Sequence, residues 1–181
     1  VPLVRAEKDS PFGGKLRIMD CPPGTGCAVV EAVRGADFCL LVTEPTPFGL
    51  HDLAAAVELL RILHVPCGVL VNRTGLGEDR SGEDKIADFC RRENLPVLGG
   101  IPHDRRIAEC YSRGALITEA LPEYRELFAG LWKQVLTLLP SRPDREGRTE
   151  AMSDGDRVMS SEDYSYLSPA TQSFVLIPRP S

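Results

Sequence analysis

The sequence has no apolar run that approaches the roughly 20 residues needed to cross a bilayer as a helix. Its N-terminus also lacks the charged and then apolar layout of a secretory signal peptide. Positive charge is not in excess, because 21 Lys and Arg are set against 26 Asp and Glu, and the net charge is −5. We therefore expect no transmembrane segment, and no general binding to nucleic acid or anionic membranes, since such surfaces need surplus Lys and Arg.

Patterns of metal ligands are scarce as well. The six cysteines include no C-x-x-C pair, and the three histidines are scattered without ligand spacing. Four of the cysteines lie in apolar runs or on the apolar face of a predicted helix, which is typical of reduced thiols in a cytoplasmic protein. Cys21 and Cys27 flank one loop and are the candidates for a metal site, but two thiols without a partner pair favour buried, reduced thiols.

The phosphate-binding pattern G-x-x-x-x-G-K-[ST] does not occur in the sequence. Gly13-Gly14-Lys15 is similar, but Leu16 and a predicted strand follow the lysine, whereas a P-loop lies between a strand and a helix. Residues 1–15 are polar and have no periodicity, so we predict a loop or the remnant of an upstream part. The first residue, Val1, is not Met, which favours the second interpretation.

The 181 residues, 43% of them hydrophobic, suffice for one domain with a sizeable core. Strand and helix patterns alternate up to residue 140, which predicts an α/β domain over 16–140 with a parallel sheet, right-handed crossovers and helices on both faces. The predicted strands are 16–19, 36–43, 67–71 and 96–101, and the predicted helices are 28–34, 51–65, 83–94, 106–113 and 123–139.

Residues 141–181 are rich in Ser, Arg, Asp, Glu and Pro, which predicts a disordered tail because such a segment buries too little apolar surface to offset chain entropy. Deletion of this tail is accordingly expected to leave the thermal midpoint nearly unchanged. The apolar tetrad 174–177 is a weak candidate for a docking segment.

Polar motifs follow the predicted strands at the point where each one ends. The carboxyl ends of parallel strands meet at one edge of a sheet, which is where open α/β sheets bind ligands. After the first strand, Asp20 offers a carboxylate for a metal-bound water, and Gly24 lets the backbone approach a ligand closely. An ordinary Pro/Gly turn is the alternative interpretation of this loop, and the spacing alone does not decide between them.

Four motifs occur in order along the chain, and together they resemble the C-terminal half of a MinD/ParA-type P-loop ATPase. More narrowly, they resemble the MinD-superfamily ATPases that carry an inserted ferredoxin domain. The resemblance covers residues 16 to about 139. The motifs are 20–27 (DCPPGTGC), 42–53 (VTEPTPFGLHDL), 71–73 (VNR) and 100–104 (GIPHD).

The resemblance implies a role for each motif. The acid of the first motif would hold the magnesium-bound water as the catalytic carboxylate, and the loop after it would sense the γ-phosphate. The third motif would hydrogen-bond and stack on adenine, since an amide side chain offers a purine both a donor and an acceptor, and the fourth would form the other wall of the base pocket. The residues concerned are Asp20 (catalytic, and metal through water), Pro23 and Gly24 (switch loop), Asn72 and Arg73 (base), and Pro102, His103 and Asp104 (wall).

The resemblance also implies ATP and Mg²⁺ as cofactors, a homodimer across the nucleotide edge, and an iron–sulfur or redox client protein. An iron–sulfur cluster would lie only in the family's ferredoxin insert, which this sequence lacks, as it lacks the Walker A strand and loop. We expect ATP hydrolysis by the intact protein but not by this chain alone, because phosphoryl transfer depends on charge stabilisation around the phosphates. The chain is then the downstream part of a longer protein or a decayed copy.

Two other functions stay open. A non-catalytic interaction protein would keep the fold without nucleotide. A phosphoacceptor receiver module would also place an acid and a threonine at strand ends, here Asp20 and Thr43, but it needs an acidic pair and a later Lys that this chain does not offer. Glu44 and Asp52 flank the Pro-rich loop and are candidates for contact with a partner subunit, with a solvated loop as the default.

Overall fold

A computed structural model describes residues 2–9, 17–75, 80–139 and 174–176. Strands and helices alternate through most of it, which confirms the predicted α/β class. The elements are α1 (Pro2–Asp9), β1 (Met19–Cys21), α2 (Cys27–Val33), β2 (Cys39–Thr43), α3 (Pro47–Ile62), β3 (Cys67–Thr74), α4 (Ser81–Arg92), β4 (Val97–Pro102), α5 (Arg105–Ser112), α6 (Ile117–Ala120), α7 (Pro122–Leu138) and β5 (Phe174–Leu176).

The strands form one sheet in the order β1-β5-β2-β3-β4. Strands β2, β3 and β4 are parallel, as predicted, and β2 pairs with β3 from Cys39 opposite Cys67 to Thr43 opposite Val71. Strand β5 is antiparallel to both of its neighbours, β1 and β2. It follows that β1 runs in the same direction as β2, so β1 to β4 all end at one edge of the sheet.

Two apolar clusters pack on opposite faces of this sheet, which explains why the central strands read as continuous apolar runs. Along β2, Leu41 contributes to the cluster under α2, α3 and α4, whereas Leu40 contributes to the cluster under α7. Helices therefore cover both faces, as the sequence predicts. Within the described ranges, no helix combines the length and the apolar character that a membrane span requires.

The N-terminal segment differs from its prediction. Residues 2–9 form helix α1, although the composition of residues 1–15 predicts a loop. Val4 packs against the apolar cluster under α2, α3 and α4, and the guanidinium of Arg5 pairs with Glu31 of α2 at 2.8 Å. These contacts with a distant helix stabilise α1, and local sequence patterns do not report them.

Part of the predicted disordered tail is also ordered. Residues 174–176 form β5, which pairs along its whole length with β1 on one side and β2 on the other. Main-chain hydrogen bonds on both sides favour an extended conformation for this segment. Residues 140–173 and 177–181, the remainder of that prediction, lie outside the described residues.

Candidate functional site

The edge at which β1 to β4 end carries all four motifs, and each motif begins inside its strand. Asp20 is the middle residue of β1, opposite Val175 of β5, whereas the sequence places it after the strand. Asn72 and Arg73 lie within β3, which continues to Thr74. Because β5 separates β1 from β2, strand β1 lies about 10 Å, or two strand spacings, from β2.

The loop after β1 combines exposed and buried residues. Asp20, Pro22 and Pro23 are exposed, whereas Thr25 is buried. Gly24 has φ +93°, and a Cβ at this position would meet no atom within 4 Å. The glycine is therefore needed for its backbone conformation rather than for space.

The two cysteines that flank this loop have different surroundings. Cys21 is buried and Cys27 is exposed at the start of α2, so the prediction of a buried thiol is wrong for Cys27. In the part of the chain that the structure describes, no three His, Cys, Asp or Glu side chains are placed to hold a metal ion together.

The loop after β2 is held tightly at its base. The hydroxyl of Thr43, which is fully buried, donates to the carbonyl of Gly49 at 2.9 Å. The N–H of Gly49 in turn donates to the side chain of Thr46, the N-cap of α3, at 3.0 Å. A Cβ at Gly49 would collide with the carbonyl of Glu44, so the loop and the first turn of α3 form one compact unit.

A bulge in β3 positions the residues that the resemblance assigns to the base. Asn72 lies opposite Ile101 and Thr74 opposite Pro102, which leaves Arg73 without a partner in the ladder. Arg73 has φ +57°, and its N–H donates to the side-chain oxygen of Asn72 at 3.0 Å. Bulges of this kind redirect a side chain out of the regular strand.

The redirected Arg73 side chain meets Glu44. Its Nη1 lies 3.4 Å from Oε2 of Glu44, as a hydrogen bond, and 3.3 Å from Oε1. This ion pair joins the loops that follow β2 and β3. Neither residue type nor spacing in the sequence signals it.

The first turn of helix α4 contacts the same two loops, those that follow β2 and β3. A Cβ at Gly82 would collide with the carbonyl of Pro45, so the helix touches the β2 loop directly. The carboxylate of Glu83 accepts the N–H of Gly75 at 2.7 Å. The first turn of α4 therefore fixes both loops relative to the sheet.

The loop after β4 is bound to β3 and to α7. The N–H of His103 donates to the carbonyl of Thr74 at 2.8 Å. Asp104 is the N-cap of α5, where it accepts the Arg106 N–H at 2.8 Å, and it also accepts the buried Tyr124 hydroxyl at 3.0 Å. Hydrogen bonds from the Arg106 side chain, followed by its backbone N–H and by Tyr124, lower the pKa of Asp104 to about 2.

These contacts give Asp104 a structural role in addition to the one predicted for it. The family resemblance assigns it to the wall of a base pocket, whereas in the structure its carboxylate joins the start of α5 to α7. Its assignment to the wall stays a prediction.

Asp52 of α3 is a buried acid at the same end of the sheet. It is 5% exposed, and its Oδ1 has no hydrogen-bond partner among the described residues. Burial raises its pKa, and the opposing effect of His51 is smaller. A contact with a partner subunit remains a prediction for this residue.

A cavity of about 210 Å³ lies between α4, β3 and the edge strand β4. Its lining is mostly apolar and includes none of the predicted site residues. The lining residues are Val71, Thr74, Glu83, Ile86, Ala87, Val97, Gly99 and Gly100.

Comparison with known proteins identifies relatives of this chain. An uncharacterized protein of Methanocaldococcus jannaschii is 34% identical over 113 residues, which is 62% of this chain and 35% of that protein. An iron–sulfur cluster carrier protein of Aquifex aeolicus is 30% identical over 116 residues, 59% of this chain and 32% of that protein. The chloroplastic septum site-determining protein minD homolog of Arabidopsis thaliana is 31% identical over 116 residues, 62% of this chain and 35% of that protein.

The chain thus spans about a third of the length of the curated relatives it matches. No protein-family model matches it. An α/β sheet whose polar loops all follow the same ends of its strands is the architecture of part of a P-loop NTPase fold. Within that class, the named relatives confirm the resemblance to the MinD/ParA-type ATPases, to which this chain is related.

Proposed function

We propose that this chain supplies the phosphate-sensing loop and the adenine side of the nucleotide site of a MinD-like ATPase. The observation that supports this proposal is the single sheet edge that carries the Asp20 loop, the Asn72–Arg73 bulge and the end of β4 at Pro102. The bulge presents a planar guanidinium and an amide side chain, which are suited to stacking and hydrogen bonding with a purine. No acid follows Arg73 at Thr74 or Gly75, and on the family resemblance this favours adenine over guanine.

Magnesium could bind at this edge in only one way, through water held by Asp20. Asp20 offers an exposed oxygen ligand, but the described residues contain no further cluster of acids that could surround the ion. Mg²⁺ commonly keeps several waters and binds through one carboxylate and the phosphates of its nucleotide. Asp20 would therefore hold the ion through water, and the ion would neutralise charge on the phosphates.

In this proposal the chain's own residues bind and orient the nucleotide. Arg73 and Asn72 hold the base, and the loop at Gly24 lies on the phosphate side. The lysine of a Walker A loop is not in this sequence, so we expect weak nucleotide binding by this chain and no hydrolysis.

Nuclear magnetic resonance of the ¹⁵N-labelled chain during titration with adenosine tests the proposal, because it measures weak binding residue by residue. We expect the amide resonances of Asn72, Arg73 and His103 to shift with adenosine. With MgATP, the amide of Gly24 should shift in addition.

Asn72→Asp should weaken the adenosine response, because the variant lacks the amide donor. Asn94→Asp is the matched control: it makes the same change from amide to carboxylate, but Asn94 follows α4 at the opposite edge of the sheet. If the folded wild-type chain shows no shift at these amides, the nucleotide function is wrong, and an interaction protein without nucleotide becomes the better proposal.

We further propose that the intact protein acts in the cytoplasm as a dimer with iron–sulfur proteins. The names of several relatives support the iron–sulfur part of this proposal, because these relatives are called iron–sulfur cluster carrier proteins. This chain alone should hold no cluster after anaerobic incubation with iron and sulfide. Acid-labile sulfide that remains bound after gel filtration would contradict this assignment of the cluster to another part of the protein.

A further inference from the structure

The ion pair between Glu44 and Arg73 joins two loops that carry different motifs. Its acid is the more fixed partner, since the side chain of Glu44 is 13% exposed and that of Arg73 is 53% exposed. Exposed ion pairs contribute little to stability in general. The acid of this pair is largely buried, so the pair also compensates a carboxylate that is mostly removed from water.

The main chain of Glu44 is fixed by its neighbours, and its carbonyl accepts the Thr46 N–H at 2.7 Å. Its carbonyl lies against Gly49 of α3, and the neighbouring carbonyl of Pro45 lies against Gly82 of α4. Helices thus confine the main chain of this loop on both sides. The Glu44 side chain extends from this confined main chain and is 13% exposed.

The carboxylate is also incompletely paired. Its Oε1 is buried, and no donor within the described ranges makes a hydrogen bond to it, although Nη1 of Arg73 is 3.3 Å away. A buried carboxylate oxygen without a donor is unfavourable unless a cation compensates it. Within the described ranges, the guanidinium of Arg73 supplies that charge.

Arg73 is held in an unfavourable backbone conformation to reach this position. A non-glycine residue with φ +57° is uncommon, and such outliers concentrate at ligand sites, where they pre-organise side chains. The bulge directs the Arg73 side chain toward β2, where Glu44 holds one edge of the guanidinium. The contact involves Nη1 only, and the Arg73 side chain stays 53% exposed.

We propose that Glu44 is a positioning residue that orients the guanidinium of Arg73 for stacking on the base of a bound adenine nucleotide. This inference rests on the function proposed above. A guanidinium held in advance loses less side-chain freedom when the base arrives, which strengthens binding by about 2- to 10-fold. Glu44 itself does not touch the base in this arrangement and acts only through Arg73.

A double-mutant cycle on the full chain tests this inference, with adenosine as the probe and the ¹⁵N titration as the measurement. Glu44→Gln keeps the shape of the side chain but removes its charge, and it should weaken adenosine binding by about 2- to 10-fold. Arg73→Ala should weaken binding at least as much. The double variant should bind no more weakly than Arg73→Ala alone, which a merely structural role of Glu44 would not produce.

Glu93→Gln is the matched control. Glu93 also pairs with an arginine, Arg61, at 2.6 Å, but at the opposite edge of the sheet. This variant should leave adenosine binding unchanged. If Glu44→Gln does not fold, Glu44→Asp, which withdraws the charge by one methylene, takes its place in the cycle.

The outcomes separate the two proposals. If the wild-type chain binds adenosine and Glu44→Gln binds it equally well, the positioning role is wrong and the nucleotide function stands. Additive effects in the double variant also overturn the positioning role. If the wild-type chain binds no adenosine, both proposals fall together.

Discussion

Gly82 and Gly130 are both helical glycines, but their surroundings differ. A Cβ at Gly82 would collide with the carbonyl of Pro45, whereas a Cβ at Gly130 in α7 would meet no atom within 4 Å. Gly82→Ala should therefore lower the free energy of unfolding by roughly 1–3 kcal/mol, because α4 must move away from the β2 loop. Gly130→Ala should raise it by up to about 1 kcal/mol, since alanine favours the helix.

Urea unfolding of the two variants measures both changes in free energy. Equal stability of Gly82→Ala and the wild type would show that α4 does not press against the β2 loop. A loss of stability in Gly130→Ala would contradict the open surroundings of that residue.

Asp52 allows a prediction about pH. Burial raises its pKa in the folded protein, so the folded state binds its proton more tightly than the unfolded state does. Stability therefore falls as pH rises from the ordinary carboxyl pKa to the raised one, and the loss persists at neutral pH. Asp52→Asn removes this charge and should raise the free energy of unfolding at pH 7 by about 1 kcal/mol.

The gain from Asp52→Asn should disappear in acid, below the ordinary pKa of the carboxyl group, where Asp52 is protonated in both states. Urea unfolding of wild type and variant across this pH range measures the difference. Asp88→Asn serves as the control, because Asp88 is exposed and the change in charge is the same. A gain that is equal at all pH values would contradict the role of ionisation.

Among the secondary-structure elements, β5 allows the clearest experiment. Three consecutive residues of β5 pair with β1 on one side and with β2 on the other. Deletion of residues 174–181 removes these main-chain hydrogen bonds and leaves two strands facing an open gap. We expect the thermal midpoint to fall by several degrees, on the order of 1 kcal/mol of stability or more, in contrast to the expectation from composition alone.

Differential scanning calorimetry of the shortened chain measures this change. A chain that lacks only residues 178–181 is the control and should retain the wild-type midpoint. An unchanged midpoint in the chain without 174–181 would show that β5 contributes no stability to the sheet.

The elements that the sequence predicted are those set by local patterns. The bounds of β2, α4 and α7 lie within three residues of their predicted positions, because apolar periodicity and turn residues are read over short windows. Helix α1 and strand β5 were not predicted, since each depends on contacts with a distant part of the chain. The same distinction applies within an element: β3 runs past its predicted end because its bulge depends on pairing with β4.

The candidate site likewise has one part that local patterns predict and another part that depends on contacts between distant residues. Strand direction brings the predicted motifs to one edge, which the alternation of strands and helices already indicates. The pair of Glu44 with Arg73 and the bond of Asp104 to Tyr124 join residues that are 29 and 20 positions apart. One sequence contains no signal for such pairs, because side-chain contacts at this separation depend on the folded backbone.

For the molecule as a whole, the reactivity of the cysteine thiols measures how well the interior is protected from solvent. Cys27 is exposed, whereas Cys21, Cys39, Cys90 and Cys110 are buried. Burial also raises the pKa of Cys67 and of Cys90 to about 11 in each case, which disfavours their reactive thiolates. We expect one thiol to react rapidly with an aromatic disulfide reagent in the native chain.

Cys27→Ser should remove the rapid phase of this reaction, and all remaining thiols should react once the chain is unfolded in urea. Absorbance of the released aromatic thiol measures both steps. A rapid phase that persists in Cys27→Ser would show that another part of the interior opens readily.

The place of β5 in the sheet has a consequence for how the chain reaches its native state during translation. Strand β5 comes after every other described element in the sequence, yet it lies between the first two strands. While the ribosome is still synthesising the segment before β5, β1 and β2 expose unpaired edges that attract other chains. Completion of the sheet must therefore wait until residues 174–176 leave the ribosome, and a nascent chain stalled before residue 174 should be the form most dependent on chaperones.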